Sequence, residues 1–350
     1  MDLDDNVRSR SRILTLGRSP RLDQGHGNAE QLDSTDSHVL NSPDHGLAAD
    51  GHQGNTAGDA ADIQRGRPPI AGHVWVVRSA WTLWDEVMKI IRFKDEHGSI
   101  QLGTPIDGTT AQVITGDLFG DYVVTDAQAR VQRLLPPIDP VNILAIGLNY
   151  GRHAEEGGFP LPDHPVVFAK LTTTLAGPGD AILLPADAPD EVDFEAELAV
   201  VIGKTARNAA EADALDFVLG YSCANDVSAR DCQIRRDQQW TRSKSFDTFC
   251  PLGPCLVIDA KMNPNALAIR STLNGKRMQD SNTADMIFSV PNLVSYLSRQ
   301  FTLLPGTLII TGTPAGVGYT RQPPVFLRPG DMITVAIEGI GELTNPVCLA

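Results

Sequence analysis

The strongest local signal in this chain is an apolar segment that contains two glutamates, Val192-Asp193-Phe194-Glu195-Ala196-Glu197-Leu198-Ala199-Val200-Val201-Ile202. Its pattern predicts a β-strand with Glu195 and Glu197 on one face and apolar side chains on the other. Two neighbouring carboxylates repel each other, and a divalent cation with oxygen ligands would remove that repulsion. The alternative interpretation is an edge strand whose acidic face is solvated.

A third carboxylate follows in the segment Gly220-Tyr221-Ser222-Cys223-Ala224-Asn225-Asp226-Val227-Ser228-Ala229-Arg230-Asp231. This pattern predicts a strand that ends in a polar turn, which could deliver Asp226 to the same site as the two glutamates. Arg230 and Gln233 follow within two turns and suit the binding of a carboxylate or a carbonyl group. In the alternative interpretation, Asp226 caps the next helix and Arg230 pairs with Asp231.

Three other segments carry candidate catalytic or binding side chains. His153 and Glu156 are three residues apart, so one helical turn would pair a general base with an orienting carboxylate; a surface His–Glu pair is the alternative. Lys244 stands among small residues, where its ammonium could stabilise a developing negative charge. Thr311 and Thr313 follow an apolar strand and could hold an anionic substrate end. Their loop has neither a Walker lysine nor GxGxxG spacing, which argues against a nucleotide site.

Composition divides the chain into three parts. Residues 1–72 contain no Phe, Trp or Tyr and are predicted to form a disordered polar tail. Residues 73–136 are predicted to be a small β-rich segment, and residues 137–350 a catalytic domain with many short apolar runs. The lack of regular βαβ alternation predicts an α+β, β-dominated fold with a few helices.

The expected elements are short. Helices are predicted after the N-cap residues Asn208 and Ser289, and the first of them should bury Ala212, Leu215 and Val218. Strands are predicted at 90–93, 100–102, 112–114, 142–146, 308–311 and 332–338.

Charge, hydropathy and cysteine usage exclude several classes of function. A formal net charge of −14 argues against nucleic-acid and anionic-membrane partners. No apolar run approaches the roughly 20 residues that a membrane helix needs. The five cysteines show neither CxxC nor Cys/His metal spacing, so reduced thiols and a cytoplasmic location are expected.

From about Val74 onward the chain resembles the fumarylacetoacetate hydrolase family. It is most similar to the shorter members, such as acylpyruvate hydrolases, oxaloacetate decarboxylases and hydroxymuconate isomerases. The resemblance implies mixed β-sheets rolled into a sandwich, and usually a homodimer. It is carried by the two segments quoted above, by His153 and Glu156, and by Gly147-Leu148-Asn149-Tyr150, Lys244-Ser245-Phe246-Asp247 and Thr311-Gly312-Thr313-Pro314.

The resemblance also implies roles for individual residues. Mg²⁺ or Mn²⁺ is expected to be held by Glu195, Glu197 and Asp226. The pair His153 and Glu156 is expected to activate water or move protons. Substrate contacts are expected at Arg230, Gln233, Lys244, Thr311 and Thr313. Relatives have a glycine-rich stretch where this chain has Arg235-Arg236-Asp237-Gln238, before Gln239-Trp240. Because this loop approaches the pocket, the difference bears on which substrate is selected.

The expected function is a metal-dependent hydrolase that cleaves a C–C bond in a 1,3-diketo or 2-keto acid, a small-molecule partner. A metal ion that chelates such an acid stabilises an enolate, and water activated by His153 would complete the cleavage. Without water delivery the same chemistry gives a decarboxylase or an isomerase, which is the alternative. A non-catalytic metal-binding scaffold is a third possibility, but it would need neither His153, Glu156 nor Lys244.

Overall fold

The computed structural model describes residues 77–79, 87–237 and 239–350. The predicted polar tail, residues 1–72, lies outside the described residues. Within these limits the chain is rich in strands and has few, short helices, which confirms the predicted β-dominated α+β class. Among the described helices, none has both the length and the apolar character needed to cross a lipid bilayer.

The first half of the described chain is almost entirely β-structure. Its strands are β1 (Val77–Ser79), β2 (Met88–Lys94), β3 (Ile100–Pro105), β4 (Thr110–Gly116), β5 (Asp121–Arg130), β6 (Arg133–Leu135), β7 (Asn142–Gly147), β8 (Val166–Lys170), β9 (Leu175–Ala176) and β10 (Ile182–Leu184). The later strands are β11 (Val192–Asp193), β12 (Ala196–Ile202), β13 (Val218–Asn225), β14 (Ser228–Ala229), β15 (Cys250–Ile258), β16 (Ala268–Leu273), β17 (Lys276–Asn282), β18 (Thr307–Ile310), β19 (Met332–Ile337) and β20 (Gly341–Leu349).

Helical segments lie between these strands. The α-helices are α1 (Gly151–Gly157), α2 (Thr241–Lys244) and α3 (Val290–Gln300). Short 3-10 helices cover Thr172–Thr174, Glu211–Phe217 and Thr283–Asp285, and a π-helix covers Asp231–Arg236.

Most of the described strands join one large sheet, in the order β1-β5-β4-β3-β2-β15-β13-β12-β18-β7-β8. A second sheet has the order β10-β20-β19-β16-β17, and β11 pairs with β14. Strand β2 pairs with β15, so the described strands of the lead-in segment and those of the later part share one sheet. The boundary between a lead-in segment and a catalytic domain therefore stays an interpretation of the sequence.

Strand β12 lies in the middle of the large sheet and is buried on both faces. It pairs with β13 on one side and β18 on the other, which excludes the edge-strand alternative for this segment. Leu198 and Val200 pack into one hydrophobic cluster with helix α3, whereas Ala199 and Val201 pack into another with β18. Alternate side chains of β12 therefore tie two cores together.

Strand directions bring several loop ends to one edge of the sheet. Strand β18 runs parallel to β7, and β12 runs antiparallel to β18, with Ile310 opposite both Ala145 and Ala199. Strand β13 is antiparallel to β12 and pairs Asn225 with Ala196. The start of β12 and the ends of β7, β13 and β18 therefore meet at one edge. The candidate site residues lie at these strand ends or in the segments that follow them.

The predicted strands at 90–93, 100–102, 112–114, 142–146, 308–311 and 332–338 are confirmed, within a few residues at their ends. The helix predicted after Ser289 is also confirmed. The Ser289 hydroxyl accepts from the Asn292 N–H at 3.3 Å, Pro291 lies in the first turn, and Leu293, Val294 and Leu297 are buried.

The helix predicted after Asn208 is wrong in type and in its buried face. Asn208 has a φ of 54°, and its N–H donates to the Ser298 carbonyl instead of starting a helix. The 3-10 helix begins only at Glu211, has no side-chain cap, and buries Ala214, whereas Leu215 is exposed. Contacts of this segment with α3 therefore override its local capping pattern.

Candidate active site

Glu195, Glu197 and Asp226 form a buried cluster in which one carboxylate oxygen from each residue lies within 4.8 Å of the others. The predicted continuous strand is interrupted here, because Phe194 and Glu195 belong to neither β11 nor β12. The Glu195 N–H donates to the side chain of Asn225 at 2.9 Å, and the Asp226 N–H donates to the Glu195 carbonyl at 2.9 Å. These bonds join the start of β12 to the end of β13 and bring the three carboxylates together.

Three buried cations compensate this negative charge. Lys244 Nζ lies 2.5 Å from Glu195 Oε2 and 2.7 Å from Asp226 Oδ2. Lys170 Nζ lies 2.6 Å from Asp226 Oδ1, and Arg230 Nη2 lies 2.7 Å from Glu195 Oε1. Glu197 makes no such ion pair with any residue that the structure describes; its Oε2 accepts the Gly312 N–H at 2.8 Å.

The unequal pairing separates the acidities of the two glutamates. Burial raises the pKa of Glu195, but the charges of Lys244 and Arg230 outweigh burial and lower that pKa to about 2. Burial, together with the charges of Asp226 and Glu195, raises the pKa of Glu197 well above its usual value. Glu197 is therefore the carboxylate with the greatest need for a further cation.

The donor chemistry of this cluster fits a hard divalent cation. Mg²⁺ and Mn²⁺ prefer oxygen ligands, and a few carboxylates with substrate oxygens and waters are the usual arrangement for Mg²⁺. The oxygens of Glu195 and Asp226 already converge on one ammonium, that of Lys244. The buried acidic cluster can therefore hold a metal ion.

His153 and Glu156 form the predicted pair on helix α1. Nδ1 of His153 lies 3.3 Å from Glu156 Oε2, and the His153 side chain is buried. The Gly316 N–H donates to the Glu156 carboxylate at 3.1 Å. Burial raises the pKa of Glu156, but the hydrogen bonds from His153 and Gly316 outweigh it and lower that pKa. Glu156 therefore orients one ring nitrogen of His153 and leaves the other free.

Lys244 is the last residue of the short helix α2, not part of a loop. Its N–H donates to the Trp240 carbonyl at 3.1 Å, and the Ser243 hydroxyl donates to the same carbonyl at 2.7 Å. Burial lowers the pKa of Lys244, but Asp226 and Glu195 outweigh it, so the pKa is raised and the side chain stays an ammonium.

Arg230 is held by several neighbours. Its Nε donates to Asp193 Oδ2 at 2.9 Å, its Nη1 donates to Gln233 Oε1 at 2.7 Å, and its guanidinium lies 4.3 Å from the Tyr319 ring centroid. Its buried Nη2 lies 2.8 Å from Asp193 Oδ2 and 2.7 Å from Glu195 Oε1 without an aligned hydrogen bond to any described residue, so it contributes charge to these two carboxylates. The structure thus brings Arg230 and Gln233 together beside Glu195.

The two predicted threonines differ in their positions. Thr313 lines the cavity, donates to the Ala196 carbonyl at 3.0 Å and accepts from Gln279 at 2.7 Å. Thr311 is buried, its hydroxyl finds no hydrogen-bond partner within the described part of the chain, and it is not among the residues that line the cavity. Contact between Thr311 and a substrate stays a prediction.

All the residues that the sequence predicted for the site, except Thr311 and Glu156, line one cavity of about 500 Å³. One side, here called the charged floor, consists of Glu195, Glu197, Asp226, Arg230 and Lys244. Five apolar side chains of the lining, here called the apolar wall, are Phe159, Val166, Phe168, Ile234 and Trp240. The wall adjoins the floor, because the Lys244 ammonium lies 5.4 Å from the Phe168 ring centroid. The rest of the lining consists of Ile146, Gly147, Leu148, His153, Gln233, Thr313 and Tyr319.

Sequence reasoning missed Lys170, Asp193, Tyr319 and the apolar wall. Lys170 ends an apolar strand, Val166-Val167-Phe168-Ala169-Lys170, and a lysine after such a run usually points to solvent. Asp193 is fully buried and accepts from Arg230, Gly318 and Tyr319. Its position beside Phe194 in an apolar segment was the available signal for a buried, paired carboxylate.

Comparison with known proteins gives one consistent family. Residues 142–348 match the family model described as fumarylacetoacetate (FAA) hydrolase C-terminal. A Dictyostelium discoideum protein named fumarylacetoacetate hydrolase domain-containing protein 2 homolog is 49% identical over 226 residues, covering 61% of this chain and 74% of that protein. The Rattus norvegicus protein named oxaloacetate tautomerase Fahd2a, mitochondrial, is 43% identical over 241 residues, covering 69% of this chain and 77% of the relative.

Solved structures agree with this result. The crystal structure of 5-carboxymethyl-2-hydroxymuconate delta-isomerase from Mycobacterium smegmatis has a TM-score of 0.67 and 40% identity to this chain. The match covers 75% of this chain and 100% of that chain.

Proposed function

Because the chain belongs to the fumarylacetoacetate hydrolase family, we propose that it is a divalent-metal-dependent enzyme that interconverts the keto and enol forms of a 2-keto acid. One observation carries this proposal: the acidic cluster and the oriented base His153 line the same cavity. Relatives at 43–45% identity bear the name oxaloacetate tautomerase, which supports proton transfer over bond cleavage.

In this proposal Glu195, Glu197 and Asp226 hold Mg²⁺ or Mn²⁺. When bound, such an ion acts as a Lewis acid that stabilises negative charge on the chelating oxygens of a 2-keto acid. Glu197, which has no ion pair with a cation in the described residues, contributes the charge that most needs this partner. Lys170 keeps the second oxygen of Asp226 occupied and so fixes the orientation of that ligand.

His153 moves the proton. Its Nδ1 is engaged by Glu156, so Nε2 is the nitrogen that exchanges a proton with the substrate. In the direction from enol to ketone, Nε2 accepts the hydroxyl proton, the C2–O bond becomes a carbonyl as the C2–C3 double bond becomes single, and the protonated imidazole returns the proton to C3. The O–H bond breaks and a C–H bond forms, so the carbon skeleton is unchanged.

The remaining polar side chains bind and orient the substrate. Arg230 and Gln233, which line the cavity and are hydrogen-bonded to each other, are placed to hold the carboxylate of the 2-keto acid, and Thr313 lines the same cavity with its hydroxyl proton engaged by the Ala196 carbonyl. The Lys244 ammonium, beside Glu195 and Asp226, is placed to stabilise the charge that develops on the enol oxygen.

Hydrolysis of a C–C bond in a 1,3-diketo acid is the second candidate. It is favoured by the size of the cavity, about 500 Å³, which leaves room for a water molecule beside His153. Decarboxylation would need the same enolate without that water. The three reactions differ in product, because only tautomerisation leaves every carbon–carbon bond intact.

The test is to mix the purified chain with freshly dissolved enol-oxaloacetate and to follow loss of the enol absorbance with Mg²⁺ and with a chelator. The tautomerase is supported if Mg²⁺ accelerates the loss of the enol and if NMR shows the keto form of oxaloacetate as the only product. Two carbonyl fragments from acetylpyruvate, or carbon dioxide from oxaloacetate, would support the other reactions. The variant Phe301→Ala, an exposed residue outside the cavity, serves as the control.

We also propose a partner, an oligomeric state and a cellular compartment. A small keto acid is the partner, and the net charge of −14 does not suit nucleic acid or an anionic membrane. A homodimer is supported by exposed apolar side chains such as Val87, Ile100 and Ile106, and light scattering on the purified chain tests it. The free cysteines support a reducing compartment such as the cytoplasm, which fractionation would check.

A further inference from the structure

The apolar wall of the cavity is built as a rigid surface. Trp240 lies directly on Gly147, where a Cβ atom would come within 2.2 Å of the indole ring. The Phe168 ring packs edge-on against Trp240 with 5.5 Å between ring centroids. The Trp240 carbonyl is fixed by the backbone of helix α2. Two aromatic rings therefore form a fixed apolar face, which reaches the acidic cluster where the Lys244 ammonium lies 5.4 Å from the Phe168 ring centroid.

The wall continues to the mouth of the cavity. There Phe159, Val166 and Ile234 expose 48%, 40% and 56% of their surface. All three line the same cavity as the acidic cluster, so this apolar surface is continuous with the proposed reaction site. Apolar side chains that converge around a concave site are typical of ligand-binding surfaces.

Cations are confined to the charged floor. Among the described residues that line the cavity, Arg230 and Lys244 are the cations, and both already contact Glu195. Nearby arginines pair elsewhere: Arg235 with Glu191, Arg236 with Asp231 and Arg242 with Asp237. The polar groups of Arg230, Lys244 and Gln233 therefore suit one carboxylate, that of the 2-keto acid itself. A second carboxylate directed at the apolar wall would lose its hydration without gaining a partner.

We propose that the apolar wall is a subsite for an apolar substituent, with Trp240 as its specificity-determining residue. The preferred substrates are then 2-keto acids that carry an aryl or bulky alkyl group on carbon 3 in place of a second carboxylate. This inference rests on the proposed function, since it assumes that the 2-keto acid head lies on the charged floor. It narrows the substrate class within that function.

The test compares binding of three compounds that cannot enolise, so that turnover does not enter. Oxalate represents the head alone, N-phenyloxamate adds a phenyl group, and N-oxalylglycine adds a carboxylate. Calorimetry is performed on the full chain with saturating Mg²⁺. We expect N-phenyloxamate to bind about tenfold or more tightly than N-oxalylglycine, because its aromatic ring leaves water for the apolar wall.

Variants then assign the preference to the wall. Trp240→Ala should remove most of the preference for N-phenyloxamate and leave oxalate binding unchanged, and Trp240→Phe should keep most of it. Ile234→Lys places a cation at an exposed position of the mouth and should improve N-oxalylglycine binding by about two- to fivefold. Phe301→Ala, outside the cavity, should change none of the three affinities.

The outcomes separate this inference from the proposed function. Oxalate binding with equal or tighter binding of N-oxalylglycine overturns the apolar subsite and leaves the proposed function standing. Equal weakening of all three compounds by Trp240→Ala shows that Trp240 only supports the fold, and it also overturns the inference. No binding of oxalate to the metal-loaded chain rejects the placement of the head group, and with it both proposals.

Discussion

The ammonium of Lys170 lies 2.6 Å from Oδ1 of Asp226, and both side chains are enclosed by protein. The same ammonium donates to the carbonyl of Lys244. One buried lysine thus anchors a proposed metal ligand and the backbone of a proposed catalytic residue. Its role is positional, because Lys170 is not among the residues that line the cavity.

Lys170→Met should destabilise the metal-free chain by about 3 kcal/mol, since it removes one of two counter-charges from a buried carboxylate. Denaturation with urea measures this loss. Lys276→Met, at an exposed position of β17, is the matched control and should change stability by less than about 0.5 kcal/mol. Equal effects of the two substitutions would show that the buried ion pair contributes little.

Glu197→Gln should weaken Mg²⁺ binding by more than the roughly 10–100-fold that outer-shell partners cost. The amide keeps a carbonyl oxygen for the Gly312 N–H but loses the negative charge. Isothermal calorimetry provides the affinity. A variant that binds Mg²⁺ as tightly as the wild type would remove Glu197 from the ligand set.

The same substitution should change how stability depends on pH. Burial and the charges of Asp226 and Glu195 raise the pKa of Glu197 in the folded chain. Its contribution to stability is therefore complete below its usual pKa of 4.5 and is lost as the pH rises through the raised value. In the presence of a chelator, raising the pH from about 5 to 8 should lower the melting temperature of Glu197→Gln less than that of the wild type. Parallel pH profiles would contradict the raised pKa.

His153→Ala should lower the rate of proton transfer by about 10²–10⁴-fold, which is the usual contribution of general acid–base catalysis. Mg²⁺ affinity should stay near that of the wild type, because His153 is not a proposed ligand. Glu156→Gln, which keeps the contact with Nδ1 but not the charge, should reduce the rate less. Loss of the metal from the His153 variant would reveal a misassigned ligand.

Lys244→Met should lower kcat and kcat/KM together, by about 10²–10³-fold, if the ammonium stabilises charge only as it develops. Mg²⁺ affinity should not fall, because the ammonium contacts the Glu195 and Asp226 oxygens that a metal ion would use. Steady-state kinetics and calorimetry separate these effects. A raised KM with nearly unchanged kcat would make Lys244 a binding residue.

Ser289→Ala should destabilise the chain by about 1 kcal/mol, because its hydroxyl caps helix α3 through the Asn292 N–H. Activity should be unchanged, since α3 packs in the core and not at the cavity. Thermal unfolding and the enol assay check both points. If activity fell by more than the fraction of folded protein, helix α3 would contribute to the cavity and the prediction would be wrong.

Local patterns predicted much of this molecule. Strand β12, the cap at Ser289 and the spacing of His153 and Glu156 all follow from local patterns, and the structure contains each of them, although the predicted strand is interrupted at Phe194 and Glu195. The convergence of Glu195, Glu197 and Asp226 was predictable because two strand segments each carried acids beside polar turns. Strand pairing then brought those segments together.

What the sequence did not reveal depends on partners distant along the chain. Lys170 and Asp226 are 56 residues apart, and no local pattern marks that lysine as buried. Asn208 has the residue type of a helix cap, yet Ser298 and Ser295 of α3 hold this segment in another conformation. The apolar wall likewise combines side chains from β8, the π-helix and the start of α2, which only the folded sheet brings side by side.

The attachment of Lys244 to Trp240 has an evolutionary consequence. The Lys244 N–H and the Ser243 hydroxyl are both held by the main-chain carbonyl of residue 240, which every amino acid supplies. The side chain at position 240 is therefore free to diversify without moving the ammonium. Position 147 is its steric complement, since any Cβ there would meet the indole. Among homologues, a glycine at position 147 should therefore accompany a large aromatic ring at position 240. Where position 240 has a smaller side chain, residues larger than glycine should occur at position 147.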